Sequence, residues 1–183
     1  MNAVESIPAE ASRRDALYQE IALGYGAALE RLARAYEADR ESCRDLVQEI
    51  HIALWRSLAA FDQRCSLRTW VYRVAHNVAT SHVIQDRRAR SRTLVSLDAL
   101  DVEPNQDDAE AAADRQRALG RLLALIQQLN PVDRQVILLY LEDLDAASIG
   151  EITGLSPGNV ATKIHRIKNI LVRRFHQGVR HGK

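Results

Sequence analysis

At 183 residues the chain has room for one domain of ordinary size or two small ones, and its 46% hydrophobic content supports folded cores that, at 5% aromatic, are mainly aliphatic. The net charge of +1 excludes a protein that coats nucleic acid in bulk, but it conceals segregation: Leu97 to Asp114 carries seven acids and no base, and the stretches on either side are basic. Cys43 and Cys65 have no CxxC partner and no histidine at metal-ligand spacing, which argues for free thiols in a reducing compartment and against a metal site.

The N-terminal run MNAVESIPAEASRRD lacks the apolar core of a signal peptide, and no later run approaches a membrane span. A soluble, cytoplasmic protein is expected. Gly and Pro are scarce and no segment alternates with a strand period, so the fold class expected is all-α. Helices are placed at 13–37, 43–59, 67–89, 111–129, 131–142, 146–153 and 157–174. They group into two small lobes, 1–93 and 111–183, joined by an acidic linker over 94–110. That linker holds Pro104, Asn105 and too little apolar surface to offset the entropy of ordering.

In the second helix Leu46, Ile50, Leu54 and Leu58 form one stripe, read as core. Beside it lie Gln48, Ile52 and Trp55, with Asp45 and Glu49 one turn apart. That mixed surface suits a partner helix, while the plainer reading has Trp55 closing the core and the acids solvated. The third helix is expected to bury Leu67, Val71, Val74 and Val78. Its other faces show Arg68, Trp70, Tyr72, Arg73, His76 and Asn77, followed by Arg87, Arg88, Arg90 and Arg92. Cations with interleaved aromatics suit single-stranded or melted nucleic acid, although a tryptophan here is more often core than stacking platform. The Asn77 amide has no packing purpose and can read a base edge.

The C-terminal lobe holds the sharpest signal. Asn130-Pro131 reads as a cap and first helical residue, with Asp133 favouring that helix N-terminus. Asp145 caps a short helix carrying Ile149 and Ile152 inward, Gly154 ends it, and Ser156-Pro157 starts the next. Val160, Ile164, Ile167 and Leu171 then share one face, opposite Asn159, Thr162, His165, Arg166, Asn169 and Arg173. This is a helix-turn-helix whose second helix suits a DNA major groove. Two amphipathic helices around a glycine turn also occur in bundles that never touch DNA. Charge favours DNA, because Ala161 to Lys183 holds seven Lys or Arg and no acid.

Taken in order, Asp45-Leu-Val-Gln-Glu-Ile, Leu54-Trp55, Phe61 and Leu67-Arg-Thr-Trp70-Val-Tyr-Arg-Val-Ala-His-Asn77 resemble region two of bacterial RNA polymerase sigma factors of the extracytoplasmic-function group. Leu129-Asn-Pro, Ile137-Leu-Leu, Ile149-Gly-Glu-Ile and Gly158-Asn-Val through Ile164-His-Arg-Ile-Lys168 resemble that group's region four. The resemblance implies an alternative sigma factor, with no cofactor or metal and no catalysis of its own. Asp45, Gln48, Glu49, Ile52 and Trp55 would dock on a coiled coil of the core polymerase clamp. Phe61, Arg68, Trp70, Arg73, His76, Asn77, Arg87 and Arg88 would serve the −10 element. In region four Thr162, His165 and Arg166 would face bases of the −35 element, with Lys163, Lys168 and Arg173 on phosphates, Asn159 within the same −35 surface, and an apolar remainder on the polymerase flap. The linker would thread the RNA exit path. An anti-sigma protein or a Ser/Thr kinase is a further expected partner.

Five positions depart from the group's pattern. Ser42, Cys43 and Arg44 stand where further acids usually precede the docking run, so phosphorylation at Ser42 could restore charge, or the subgroup tolerates the change. Ala161 and His76 stand where cations are common. The rival class is a transcriptional regulator with a LuxR-like helix-turn-helix, acting on duplex DNA without polymerase. It needs an upstream domain with strands and a pocket, which the helical N-terminal half does not offer. An enzyme lacks support, since no phosphate loop, metal cluster or nucleophile motif is present. Free of polymerase, the chain is expected to bind DNA weakly because its two lobes are unconstrained.

Overall fold

The first lobe is three helices wrapped around the stripe that the second of them presents. In the computed structural model, residues 6–90 and 109–180 are described, with side chains described over 12–85 and 114–177. The helices are α1 (Ser6–Tyr36), α2 (Arg40–Ser57), α3 (Leu67–Arg90), α4 (Ala109–Gln127), α5 (Pro131–Leu141), α6 (Ala146–Thr153) and α7 (Pro157–Arg180). A 3-10 turn over Leu58–Ala60 follows α2, and no strand occurs among the described residues. The expected linker lies outside the described residues except for Ala109 and Glu110, which open α4.

Leu46, Ile50 and Leu54 are fully buried and Leu58 nearly so, one residue per turn along α2. They meet Ile21, Leu29, Leu32 and Ala33 of α1 and Val71, Ala75 and Ala79 of α3. Each such aliphatic side chain contributes about 1.5–3 kcal/mol relative to exposure. α2 begins earlier than the hydrophobic spacing indicates, because Asp39 accepts a hydrogen bond from the Ser42 N–H at 2.8 Å and so caps it. α3 is rotated from its expected orientation. Val71, Tyr72, Ala75, His76 and Ala79 are buried, whereas Leu67, Val74 and Val78 are only half-buried. The alanines let α3 approach its neighbours closely, which draws the Tyr72 and His76 rings into the interior.

The second lobe folds α4, α5 and α6 against α7. Asn130 caps α5 by accepting from the Asp133 N–H at 2.9 Å, and Asp145 caps α6 by accepting from the Ser148 N–H at 2.7 Å. Gly154 closes α6 in the left-handed region at φ 76. Ile149, Val160 and Ile167 are fully buried and Leu171 nearly so; Ile152 and Ile164 are half-buried at the margin.

The lobes are not independent. α1 packs against α4, and α3 packs against α5 and α6. Gln127 donates to the Arg34 carbonyl at 2.9 Å, Arg31 pairs with Glu142 at 2.8 Å, and the Arg134 guanidinium lies over Tyr36. The expectation of two unconstrained lobes therefore gives way to a closed arrangement. Its physical reason is charge and ring complementarity between residues some hundred positions apart.

Candidate nucleic-acid interface

Three surfaces carry the residues singled out from the sequence. On α2, Asp45, Gln48, Glu49 and Ile52 are all exposed and fall at spacings of three, one and three, which is one helical face. Ile52 is 43% exposed and is the apolar member of this otherwise polar face. Trp55 ends this face half-buried, edge-on to Tyr18 at 5.4 Å and covered by the Arg14 guanidinium at 4.2 Å. It thus sits between Tyr18 and Arg14 at the end of the exposed face. Glu49 lies 3.4 Å from His82, across the groove to α3. Ser42, half-buried in the first turn of α2, keeps its N–H on Asp39.

The second surface is the α2–α3 loop with the start of α3. Phe61 and Trp70 pack on each other with ring centroids 5.4 Å apart, and the Trp70 indole donates to Ser57 Oγ at 3.2 Å. Asp62 turns the loop by accepting from the Arg64 N–H, and Ser66 accepts from the Thr69 N–H at 3.0 Å where α3 begins. The loop is therefore braced at both ends, with half-buried aromatic faces between. Asn77 is exposed. Arg68 and Arg73 are turned toward the second lobe, where Arg68 donates to the Glu142 carbonyl and Arg73 to the Glu151 carbonyl at 3.2 Å.

His76 corrects the sequence expectation. It is 1% exposed, with Nδ1 3.0 Å from the Tyr36 hydroxyl and their rings edge to face. Burial drops its pKa to about 3, so the ring is neutral and cannot act as a cation toward DNA. The rotation of α3 that buries Ala75 and Ala79 carries His76 inward with them. Burial likewise pushes the Tyr36 hydroxyl up to about 12. The side chains of Arg87 and Arg88 lie outside the described residues.

The third surface is α7. Asn159, Thr162, His165, Arg166, Lys168, Asn169 and Arg173 are exposed, opposite the buried stripe. Thr162 donates to the Gly158 carbonyl at 2.9 Å, and His165 and Asn169 share a hydrogen bond at 3.0 Å. Lys168 lies over the Tyr140 ring, and Arg173 Nε donates to the Asn169 carbonyl.

Lys163 differs from expectation. It is half-buried and donates to Asp133 Oδ1 at 2.6 Å, while Arg166 donates to Asp133 Oδ2 at 2.7 Å. Burial alone would raise the Asp133 carboxyl. The hydrogen bonds from Lys163 and Asn130 and the two cations outweigh it and hold the group below its ordinary value. Asp133 therefore does more than favour a helix N-terminus: it ties α7 to α5 through the residues flanking His165. Sequence spacing could not show this, because it depends on how α5 crosses α7. The Lys163–Arg166 interval of three was the available signal.

Among the described residues no cluster of His, Cys, Asp or Glu is arranged to hold a metal, and no helix is long and apolar enough to cross a membrane. The sigma-70 region 2 model matches residues 21–89 and the sigma-70 region 4 model matches residues 119–171, together about two thirds of the chain. RNA polymerase sigma factor YlaC of Bacillus subtilis is 26% identical over 129 residues, 70% of this chain and 74% of that protein. The ECF sigma factor SigW of the same organism is 26% identical over 150 residues, 76% of each chain. Some relatives are longer: the chain spans 38% of the probable sigma factor RfaY of Xanthomonas campestris. Among solved structures, the fold matches sigma factor RpoE of Bartonella quintana in complex with the anti-sigma factor NepR, with a TM-score of 0.67 at 18% identity over 90% of this chain and 97% of that one. It also matches CnrH in complex with the cytosolic domain of CnrY, with a TM-score of 0.63 at 20% identity over 87% and 88%.

Proposed function

The chain belongs to the sigma-70 family of RNA polymerase sigma factors, in its extracytoplasmic-function group, and from that premise we propose how its surfaces divide the work of starting transcription. The lobe α1–α3 binds core polymerase through Asp45, Gln48, Glu49, Ile52 and the free edge of Trp55. The observation that carries this is an exposed isoleucine and a half-buried tryptophan framed by acids on one face of α2. Such a face suits a basic, amphipathic helix, and a coiled coil of the polymerase clamp supplies one. The α2–α3 loop and α3 hold the opened −10 strand, with Phe61 and Trp70 as the aromatic platform, Asn77 as base reader and Arg68, Arg73, Arg87 and Arg88 on phosphates. Unstacking a base costs a few kcal/mol, which polymerase binding and the base pocket together supply.

The lobe α4–α7 reads the −35 element as duplex. Asn159, Thr162 and His165 meet base edges, Arg166 does so from its anchored position on Asp133, and Lys168 and Arg173 meet phosphates. Lys163 serves mainly to hold α7 in place. The protein itself supplies no catalysis and works in the cytoplasm. The relatives whose structures include anti-sigma partners support an anti-sigma protein as a regulator here. Phosphorylation of Ser42 is a second route of control: it would add negative charge at the first turn of α2, next to the docking face.

Core binding tests the assignment. Fluorescence titration of labelled chain with core polymerase should give tight binding, weakened about thirtyfold by Ile52→Asp, as expected for a central contact worth about 2 kcal/mol. Unchanged affinity in both Ile52→Asp and Asp45→Lys would remove α2 as the docking face. Tighter binding by Ser42→Glu would support control by phosphorylation, and no gain would count against it.

A further inference from the structure

Asp133 lies in the first turn of α5, and its carboxylate is engaged on every side by the protein itself. Its N–H donates to Asn130 Oδ1 at 2.9 Å, and the Asn130 amide returns a hydrogen bond to Asp133 Oδ2 at 2.8 Å, which fixes the side chain at the helix start. The same Oδ2 accepts from Arg166 Nη2 at 2.7 Å, and Oδ1 accepts from Lys163 Nζ at 2.6 Å. With both oxygens bound and its side chain only 5% exposed, the acid does not itself reach a base.

The two cations it holds are not equivalent. Lys163 lies on the flank of α7 with its side chain 27% exposed, whereas Arg166, three residues on, is 57% exposed. Lys163 is a point charge, and a carboxylate at short range neutralises it. Arg166 is gripped through Nη2 alone, and no other hydrogen bond to its guanidinium occurs among the described residues. Nε and Nη1 are therefore available on a planar group whose position is set by α5. A planar donor pair held in one pose matches guanine, whose major-groove edge offers N7 and O6 as paired acceptors. A mobile cation matches phosphate, which every sequence offers equally. A carboxylate beside a DNA-binding face weakens attraction to phosphates in general, and here it does so while orienting the one group able to tell bases apart.

We propose that Asp133 is a specificity-determining positioning residue of the −35 interface: it aims Arg166 at a guanine and keeps Lys163 off the phosphates, so that the pair selects sequence instead of adding non-specific affinity. The inference rests on the reading of α7 as the duplex reader and assigns the source of its selectivity to a residue of α5 that touches no DNA.

The test uses the chain assembled with core polymerase and a pool of randomised duplexes. One readout is the matrix of base frequencies in the duplexes retained. The other is the salt dependence of binding to one retained and one scrambled duplex, by fluorescence anisotropy, at a temperature where melting curves show every variant folded. The wild type should select an upstream element that includes a guanine. Arg166→Lys and Asp133→Asn should lose preference at that position while keeping the rest of the element, with the affinity ratio of retained to scrambled duplex falling about tenfold. Asp133→Asn should also bind the scrambled duplex more tightly, with a logarithmic salt slope steeper by about one to two as the two cations turn to phosphates. Asp143→Asn makes the same change in net charge at another exposed site and should leave the matrix unaltered. Asp133→Glu keeps the charge, and with it the ion pairs, but moves the anchor by one methylene. Its guanine preference should weaken with the salt slope unchanged, which keeps the test open if Asp133→Asn fails to fold. A guanine preference that survives in both Asp133 variants, or in Arg166→Lys, overturns the inference and leaves the duplex reading intact. So does an upstream element without guanine, or an equal loss at every upstream position in Asp133→Asn, which is what a merely loosened α7 would give. A wild-type matrix with no upstream element removes the duplex reading itself.

Discussion

At His76 a single buried ring couples stability to pH. Its folded pKa of about 3 lies below the ordinary histidine value, so between those two values the unfolded chain binds a proton that the folded chain refuses. Stability from this residue is complete above about pH 6.5 and falls by about 1.4 kcal/mol for each unit below it. Urea denaturation at pH 7 and 5.5 should show that slope in the wild type, and His76→Gln should flatten it. Asp133 has the opposite sign. Its lowered pKa means that its contribution is present above the ordinary carboxylate value and disappears as pH falls through the folded one. Asp133→Asn should cost about 1–2 kcal/mol at pH 7, and the gap to wild type should close in acid. The sequence marked both residues as notable but gave neither its true place. His76 follows the docking run at a position that reads as outward, and only the close approach of Ala75 and Ala79 to neighbouring helices turns it in.

The helix-turn-helix shows why elements were easier to read than side chains. Caps, glycine and aliphatic spacing are local signals, and Asp145, Gly154, Ser156 and the stripe from Val160 to Leu171 all fall where local chemistry puts them. Gly150 was less legible. A Cβ there would meet the Leu155 carbonyl oxygen at 2.7 Å, a backbone atom that cannot step aside cheaply, so this glycine sets how closely the turn passes α6. Gly150→Ala should therefore destabilise the second lobe by about 1–3 kcal/mol and weaken duplex binding. Gly158→Ala, at an exposed position with nothing within 4 Å of the new methyl group, should be neutral or slightly stabilising. Thermal melts of the two variants, side by side, check the contrast. The rotation of α3 is not legible in its sequence, because a helix packed on several sides has no single apolar stripe to reveal it.

For the molecule as a whole, the two-lobed plan was legible because each lobe carries its own aliphatic stripes and its own motifs, although the buried residues of both join in one cluster. The closed arrangement was not, because Arg31 and Glu142 are 111 positions apart and neither has any local reason to be where it is. In this arrangement Asp45, Gln48, Glu49 and Ile52 of α2 are exposed while Arg68 and Arg73 of α3 donate to carbonyls of the second lobe. As a sigma factor this chain is expected to confer promoter choice on core polymerase, with each lobe reading one element. Run-off transcription with purified core polymerase, a pool of genomic fragments and this protein tests it most directly. Discrete new transcripts whose start sites share two upstream elements at fixed spacing are expected. Transcripts that share none, or no transcripts beyond those of core polymerase alone despite stable binding of the chain, would contradict it.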